Sequence, residues 1–419
     1  MQFSAFAQRY QRHSGTVQLM DDLGHARSAT GPVYMLGGGN PAHIPRVDEI
    51  VQDTLAQLVK DSSVFTRMIG EYDNPQGNPR FAEALADTLR RTFGWQLTAD
   101  HIAITNGSQS SFGLLFNSFA GPYADGQFKQ ILLPITPEYV GYTDVGLPSE
   151  NIFDGRRPTI ECMGNKRFKY HVDFDALTID SHHGAICVSR PTNPTGNVIS
   201  DTELTTLQRL SRDANIPLII DGAYGLPFPG MIFCGATPIW DDNIILCLSL
   251  SKLGLPGLRT GIVVADPSVC RLIRNANAIN SLAPGGVGPA LATALLENNQ
   301  LMQLCNQEIR PFYQRKAEHA LNLIDATMAD LPVRVHRAEG ALFLWLWFEN
   351  LPITANELYQ RLVEKGVYVI PGQHFYPGLD DDWRHRHECI RLNYAAADAD
   401  VEKGIRIIAE LARSLYTSI

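Results

Sequence analysis

Short apolar runs recur through the middle of the chain and alternate with stretches of helical periodicity. Runs without polar interruption that are four to six residues long are typical of strands buried on both faces, as in a parallel sheet. Their alternation with helices indicates an α/β domain. The predicted strands are 102–105, 131–134, 185–189, 217–220, 244–248 and 261–265, with helices at 47–60, 79–93 and 112–119.

The last third of the chain has a different pattern. Residues 287–327 are helix-patterned over a long stretch, and strands and helices then follow one another irregularly, which predicts a smaller α+β domain. Its predicted strands are 341–348, 366–370 and 389–394, with helices at 354–365 and 398–415. We therefore divide the chain into an N-terminal arm that also contributes to the small domain (1–45), a large domain (46–300) and a smaller C-terminal domain (301–419).

Polar residues follow the predicted strands of the large domain. Asp221 closes one buried strand, where a carboxylate is costly unless a cation pairs with it. Asn193 lies in a rigid turn after another strand, and Tyr139 and Tyr142 follow a third. Ligands of doubly wound sheets bind beyond the carboxyl ends of the strands. These side chains are thus candidates for one site, although a core position is the simpler expectation for Tyr142 and an open alternative for Tyr139.

A single lysine, Lys252, follows the strand at 244–248, and Arg259 comes seven residues later. A lysine that is desolvated near a fixed cation acquires a lowered pKa and suits Schiff-base chemistry. Taken alone, a surface lysine in a strand connection is the more common case.

Two other segments have the composition of anion sites. Gly107, Ser108 and Gln109 open a helix directly after a strand, and the free N–H groups there suit a phosphate, although a plain serine N-cap explains the pattern equally well. In the last predicted strand Arg391 alternates with apolar residues and faces either solvent or a cleft, where its planar fork would bind a carboxylate.

Composition narrows the class of protein. The chain has 419 residues, of which 45% are hydrophobic and 19% charged, and its formal charge is −9 without a basic stripe, so nucleic acid is not an expected partner. The seven cysteines are scattered, which indicates reduced thiols, and with no signal peptide or membrane-length apolar run we predict a cytoplasmic location. His385, His387 and Cys389 alternate in a highly charged segment, which indicates a solvated loop rather than a metal site.

The order of these motifs resembles that of the fold type I pyridoxal-phosphate aminotransferases, in their class I/II branch. The resemblance runs from about Gly37 to Arg391, and within the branch it is strongest to the valine–pyruvate subfamily. The motifs that carry it are YDNPQG, NGSQ, PEYVGY, NPTG, DGAY, SLSK, GLRTG and IRLNY, with MLGGGNPA, SLAPGG and FLWLWF beside them.

The resemblance implies a role for each candidate. Lys252 would hold pyridoxal 5′-phosphate as an internal aldimine and move the substrate Cα proton, and Asp221 would keep the pyridine nitrogen protonated. Tyr224 and Asn193 would bind the ring 3′-oxygen, and Tyr139 would stack on the ring. The remaining cofactor ligands would hold the phosphate: Ser108, Gln109, Ser249 and Arg259, with Tyr72 arriving from the partner subunit of a homodimer. Arg391 would bind the substrate carboxylate, assisted by Asn193 and the backbone at Gly39.

The implied reaction is a ping-pong transamination between L-valine and pyruvate that gives 3-methyl-2-oxobutanoate and L-alanine. Residues 275–309 contain no lysine or arginine, so an acidic substrate side chain would lack a partner there unless Arg9, Arg12 or Arg27 of the arm supplied one. The alternatives left open are an aminotransferase for other neutral amino acids and a C–S β-lyase. A non-catalytic ligand sensor is disfavoured because Lys252 and Asp221 are both present.

Overall fold

The computed structural model describes residues 1–4, 7–8, 10–11, 14–28, 31–148 and 150–417, with the backbone alone at 19, 22–23 and 25–28. Its strands, in chain order, are β1 Tyr34–Met35, β2 Ile102–Thr105, β3 Gly121–Pro122, β4 Phe128–Leu133, β5 Phe153–Gly155, β6 Thr159–Met163, β7 Arg167–His171, β8 His183–Ser189, β9 Leu218–Asp221, β10 Ile244–Ser249, β11 Gly261–Val264, β12 Val333–His336, β13 Phe343–Phe348, β14 Val367–Tyr368, β15 Ile370–Pro371 and β16 Cys389–Asn393. Its α-helices are α1 Gly15–Ser28, α2 Pro45–Lys60, α3 Ser62–Gly70, α4 Pro79–Phe93, α5 Ser108–Phe119, α6 Asp201–Asp213, α7 Pro267–Asn280, α8 Val287–Glu297, α9 Gln300–Leu304, α10 Arg310–Thr327, α11 Ala355–Val363 and α12 Asp398–Thr417.

The larger sheet has the strand order β2-β11-β10-β9-β8-β4-β3, with β5 also paired to β4. The pairs β10–β9, β9–β8, β8–β4 and β4–β5 are parallel, whereas β11 runs antiparallel to both of its neighbours. Strands β8, β9 and β10 are buried along their whole length, as their apolar runs predict. The mainly parallel α/β architecture expected from the sequence is confirmed.

The ends of several helices follow from local sequence signals. Helix α4 begins after Asn78, whose side chain accepts a hydrogen bond from the Phe81 N–H, and it ends at Gly94 in the left-handed conformation at φ 72°. Helix α6 begins with a capping box in which Ser200 and Glu203 bond each other's backbone N–H groups. Because the capping side chains satisfy free backbone N–H groups, each helix begins directly after its capping residue.

A second sheet has the order β15-β16-β13-β12-β7-β6. Its hairpin β6–β7 comes from residues 159–171, which the sequence pattern did not distinguish from the large domain, and β7 pairs in parallel with β12. β1 pairs in parallel with β14 and so fastens the start of the chain to the C-terminal part. The division at residues 45 and 300 stays a prediction. Residues 159–171 fall within the predicted large domain, but the pairing of β7 with β12 places them in the second sheet.

None of the helices in the described parts of the chain is both long enough and apolar enough to cross a membrane. All seven cysteines are free thiols, and only Cys162 is exposed.

Candidate active site

Three neighbouring parallel strands end at the same edge of the larger sheet, and each ends in a polar residue. Ser189 of β8 lies in register with Asp221 of β9, and Ser249 closes β10 beside them. The antiparallel β11 begins at this edge, so Arg259 just before it arrives there as well. A polar site at this edge is therefore a consequence of strand direction.

A cavity of about 160 Å³ lies over this edge. All of the site residues predicted from the sequence except Tyr72 line it. They are Gly39, Ser108, Gln109, Tyr139, Asn193, Asp221, Tyr224, Ser249, Lys252, Arg259 and Arg391. The cavity is also lined by Phe112, Ser189, Pro191, Ala223 and Ser251, to which sequence reasoning assigned no role.

Lys252 lies on a short 3₁₀ turn, Ser251–Leu253, directly after β10. Its Nζ donates a hydrogen bond of 2.6 Å to the Gly39 carbonyl and lies 5.2 Å from the centroid of the Tyr224 ring. Burial lowers the pKa of Lys252 to about 8; the charges of Arg391 and Arg259 act in the same direction, and Asp221 opposes them. The lysine is thus poised to be a neutral, nucleophilic amine near physiological pH.

Asp221 is buried beneath the cavity, with 8% of its surface exposed. Its Oδ2 accepts a hydrogen bond of 2.7 Å from the Tyr142 hydroxyl, and its Oδ1 accepts one of 2.9 Å from the Ala223 N–H. Burial raises the pKa of Asp221, against these two hydrogen bonds and the charge of Lys252. Tyr142 is buried as expected, but it also holds the aspartate, a role that its position in the sequence did not reveal.

The opposite end of the cavity has the donors of an anion site. Gly107 has φ +93° and lies before Ser108, the first residue of α5, whose N-terminal N–H groups and dipole favour negative charge. A Cβ atom on Gly107 would lie 2.1 Å from Nη2 of Arg259, so the guanidinium rests directly on this glycine. Gln109 donates to the Gly141 carbonyl at 2.7 Å, while its buried Oε1 has no partner within the described part of the chain.

Arg391 of β16 comes from the other sheet and is 1% exposed. Its Nη1 donates to Oδ1 of Asn193 at 2.7 Å, its Nη2 donates to the Gly37 carbonyl at 2.5 Å, and its buried Nε has no partner among the residues that the structure describes. The guanidinium lies 4.2 Å from the centroid of the Phe343 ring. Burial lowers the pKa of Arg391 to about 10.

Two further aromatic rings frame the cavity. Tyr139 contacts Tyr142 edge to face at a centroid distance of 5.5 Å, and Tyr224 contacts Phe343 in the same way at 5.7 Å. Burial raises the pKa of both Tyr139 and Tyr224, so both hydroxyls stay protonated and can donate hydrogen bonds. Both rings are held by packing rather than by the cavity's polar groups.

Some predicted residues lie elsewhere. Tyr72 is 82% exposed and does not line this cavity. Arg9 and Arg12 lie outside the described residues, as does the side chain of Arg27. The described residues form no metal-ligating group of three.

The expectation of a solvated loop is wrong for His385. This residue is buried, and its Nε2 is hydrogen-bonded to the Tyr170 hydroxyl. The Trp383 ring stacks on its ring, which explains why a segment of charged sequence still buries one histidine.

The donor set fits pyridoxal phosphate. An amine, a buried carboxylate and an anion site line a single cavity, with an aromatic ring and two hydrogen-bonding side chains between them. The amine of Lys252 suits the carbonyl carbon of this cofactor, and the carboxylate of Asp221 suits its protonated ring nitrogen. The donors around Gly107 and Arg259 suit its phosphate. In the described residues the buried Nε of Arg391 and Oε1 of Gln109 both lack a partner, so the polar groups of the cavity do not all satisfy one another.

The family model for aminotransferases of class I and II matches residues 47–408. A valine–pyruvate aminotransferase of Escherichia coli (strain K12) is 48% identical over 410 residues, which cover 98% of this chain and 98% of that protein. The crystal structure of a valine–pyruvate aminotransferase from Salmonella typhimurium LT2 is 46% identical, covers 96% of this chain and 99% of that one, and has a TM-score of 0.88. A kynurenine aminotransferase structure from Pyrococcus horikoshii shares the fold at 21% identity, with a TM-score of 0.79 over 98% and 97% of the two chains. With most of its length matched by the family model and by a relative of such identity, the chain belongs to the class I and II aminotransferases.

Proposed function

We propose that this aminotransferase uses pyridoxal 5′-phosphate to transfer the amino group of L-valine to pyruvate, giving 3-methyl-2-oxobutanoate and L-alanine. The observation that carries the proposal is the convergence of Lys252, Asp221 and Arg391 on one cavity. The choice of substrates is supported by the 48% identity to the E. coli valine–pyruvate enzyme. A ping-pong course follows, because one cavity must receive the amino acid and the 2-oxo acid in turn.

Each residue of the cavity has its own role in the proposed reaction. Bound pyridoxal phosphate supplies an electron sink for the charge that develops at the substrate Cα. The neutral amine of Lys252 would take the substrate Cα proton and pass it to the cofactor, and Asp221 would hold a proton on the ring nitrogen. Tyr139 would lie against the ring, and Tyr224 and the Asn193 amide would donate hydrogen bonds to its 3′-oxygen.

The phosphate is held at the other end of the cavity. Ser108 and Gln109 at the start of α5 offer N–H groups, and Ser249 offers a hydroxyl. Arg259 contributes the positive charge, since no carboxylate pairs with it in the part of the chain that the structure describes. These four residues would hold the phosphate at the end of the cavity away from Lys252.

Arg391 binds the α-carboxylate that valine, alanine and both oxo acids share. Its Nη1 is already held by Asn193, so the fork is oriented before substrate arrives. Gly39 borders the same space and brings its backbone to the carboxylate without a side chain in the way. Small neutral side chains are favoured because residues 275–309 offer no cation to a second carboxylate.

We also propose a homodimer in which Tyr72 of one protomer reaches the phosphate site of its partner. Large apolar residues are exposed near this site: Ile69, Tyr72, Ile279 and Leu282 at 57%, 82%, 84% and 57%. They share one region, because a Cβ on Gly286 would lie 2.7 Å from the Met68 carbonyl, next to Ile69. Such a patch is typical of a protein–protein interface, and light scattering should give twice the chain mass.

The free thiols support the proposal that the dimer works in the cytoplasm.

The substrate assignment is tested by adding single amino acids to the cofactor-loaded protein and following the cofactor's visible absorption band. Valine and alanine should each convert it fully in a single turnover, with the 2-oxo acid as product and without release of ammonia. Fast conversion by glutamate with none by valine would refute the assignment, and release of pyruvate and ammonia from an amino acid that carries a thiol leaving group at Cβ would indicate a C–S β-lyase instead.

The anion site allows a second test. Gly107→Ala places a Cβ on the Arg259 guanidinium and forces a side chain into positive φ. Because a charged hydrogen bond is lost, we expect the affinity for pyridoxal phosphate to fall about 10- to 100-fold in a fluorescence titration. Gly113→Ala on the same helix is the control, since its Cβ would meet nothing within 4 Å. Unchanged binding by Gly107→Ala would remove Arg259 from the phosphate site.

A further inference from the structure

Glu138 is a wholly buried carboxyl group next to the cavity that the reaction described above does not use. It follows β4 and immediately precedes Tyr139. Its Oε1 accepts a hydrogen bond of 2.8 Å from the Ser189 N–H, and its Oε2 lies 2.5 Å from the Ser189 hydroxyl. Its own N–H donates to the Phe375 carbonyl at 2.8 Å, which fixes the residue against the C-terminal part of the chain.

The Ser189 hydroxyl connects Glu138 to the aspartate of the site. Ser189 Oγ lies 3.3 Å from the Tyr142 hydroxyl, and that hydroxyl lies 2.7 Å from Oδ2 of Asp221. A row of four side chains thus runs from one buried carboxyl group to the other. Among the described residues no lysine, arginine or histidine pairs with Glu138, so its charge would have no counterion.

The protons in this row can be counted. There are three oxygen–oxygen contacts, and the hydroxyls of Ser189 and Tyr142 supply two protons. If Glu138 is ionised, Ser189 donates to it, Tyr142 donates to Asp221, and the contact between the two hydroxyls holds no proton. If Glu138 is protonated, every contact has one donor, and all of the donors point toward Asp221.

Burial supports the protonated form. It raises the pKa of Glu138 to about 8, and the charge of Asp221 acts in the same direction, against the hydrogen bonds from Ser189. The other titratable groups that face the row are Lys252 and four groups that are neutral because burial raises their pKa: Tyr139, Cys187, Tyr224 and Cys247. Burial raises the pKa of Asp221 as well, but hydrogen bonds from Tyr142 and Ala223 and the charge of Lys252 oppose the rise, so of the two carboxyl groups Asp221 is the one whose negative charge has a cation acting on it.

We propose that Glu138 is a positioning residue that acts in its neutral form, donating to Ser189 and thereby directing the hydroxyls of Ser189 and Tyr142 toward Asp221. This row keeps Asp221 ionised and oriented beneath the cofactor ring nitrogen. The inference rests on the proposed function, because it assigns that ring nitrogen to Asp221. It adds a residue that touches neither cofactor nor substrate.

Four variants test the row: Glu138→Gln, Glu138→Met, Ser189→Ala and Tyr142→Phe. The amide introduced by Glu138→Gln can accept from the Ser189 N–H and donate to its hydroxyl, so it mimics the protonated acid. Glu138→Met fills the space without either bond. Ser189→Ala keeps the backbone N–H that donates to Glu138 and removes only the connecting hydroxyl.

The readouts are the dissociation constant of pyridoxal phosphate and the ¹⁵N resonance of its labelled ring nitrogen in the bound state. Glu138→Gln should bind within about threefold of the wild type, whereas Glu138→Met and Ser189→Ala should each bind about tenfold more weakly. In these two variants the ¹⁵N resonance should move from the pyridinium value toward that of neutral pyridine. In a Tyr142→Phe background the effect of Ser189→Ala should vanish, because the row is already broken.

Two results would overturn the inference. If Glu138→Gln binds as weakly as Glu138→Met, the charged form is the one that acts. If Ser189→Ala binds like the wild type, or adds its full effect to Tyr142→Phe, Glu138 only satisfies the Ser189 N–H. Failure of the wild-type protein to bind pyridoxal phosphate at all would instead refute the proposed function, and the inference with it.

Discussion

Replacing Lys252 with alanine is expected to abolish transamination between valine and pyruvate, with kcat lowered by roughly 10⁴-fold or more. The cavity contains one primary amine, and no other described side chain that lines it can both bond to a carbonyl carbon and move a proton. The Asp221 oxygens accept hydrogen bonds from Tyr142 and Ala223, and the hydroxyl of Tyr224 stays protonated. The loss should thus fall on the chemical step and leave substrate affinity largely intact.

The measurement is a steady-state assay of alanine formation, with circular dichroism to show that the variant is folded. Lys166→Ala is a matched control, because the Lys166 amine also bonds backbone carbonyls, those of Ala329 and Leu331 at 2.7 and 2.6 Å, far from the cavity. The control should keep kcat near the wild-type value. If Lys252→Ala retained kcat within about tenfold of the wild type, the assignment of the proton transfer would be wrong.

The same lysine has a pH signature. Only the neutral amine can bond to the carbonyl carbon of pyridoxal phosphate, and the pKa of Lys252 is lowered to about 8. The rate at which cofactor-free protein captures pyridoxal phosphate should therefore rise with pH and level off above about pH 8. An ordinary lysine amine, with its pKa near 10.4, would give a rate that still rises at pH 10.

Most of the cavity was accessible from the sequence because strand direction determines where the ends of buried strands lie. Asp221, Ser249 and Lys252 follow apolar runs that are typical of interior parallel strands, so their convergence follows from the fold class. Arg391 was harder, since alternation within β16 leaves its direction undecided. Its place in the cavity depends on the second sheet packing over the first, which local patterns do not encode.

The residues missed by sequence reasoning are those whose role depends on a partner far along the chain. Tyr142 contacts Asp221 across 79 positions, and Glu138 contacts Ser189 across 51. Tyr142 looks like an ordinary core residue by local criteria, and nothing in the sequence around Glu138 indicates that its carboxyl group is buried. The hairpin at 159–171 escaped assignment for a similar reason, since its neighbour β12 is about 165 residues away.

Replacing Arg391 with leucine is expected to lower kcat/KM for both valine and pyruvate by about 10³-fold, mainly through KM. The guanidinium is buried, and its fork is bonded only to neutral oxygens of Asn193 and Gly37. No carboxylate in the described part of the chain pairs with it, and its buried Nε lacks a partner. A substrate carboxylate supplies the missing negative charge, so both substrates should lose the same interaction.

The conservative variant separates geometry from charge. Arg391→Lys keeps the positive charge but loses the planar fork that matches a carboxylate, so it should recover only part of the loss. Both variants should bind pyridoxal phosphate as tightly as the wild type, because Arg391 lies on the substrate side of the cavity, away from the anion site at Gly107. An Arg391→Leu protein with kcat/KM within about threefold of the wild type would show that the carboxylate binds elsewhere. An equal loss in cofactor affinity would show instead that Arg391 supports the architecture of the cavity, since its bond to Gly37 also anchors the glycine run that reaches Lys252.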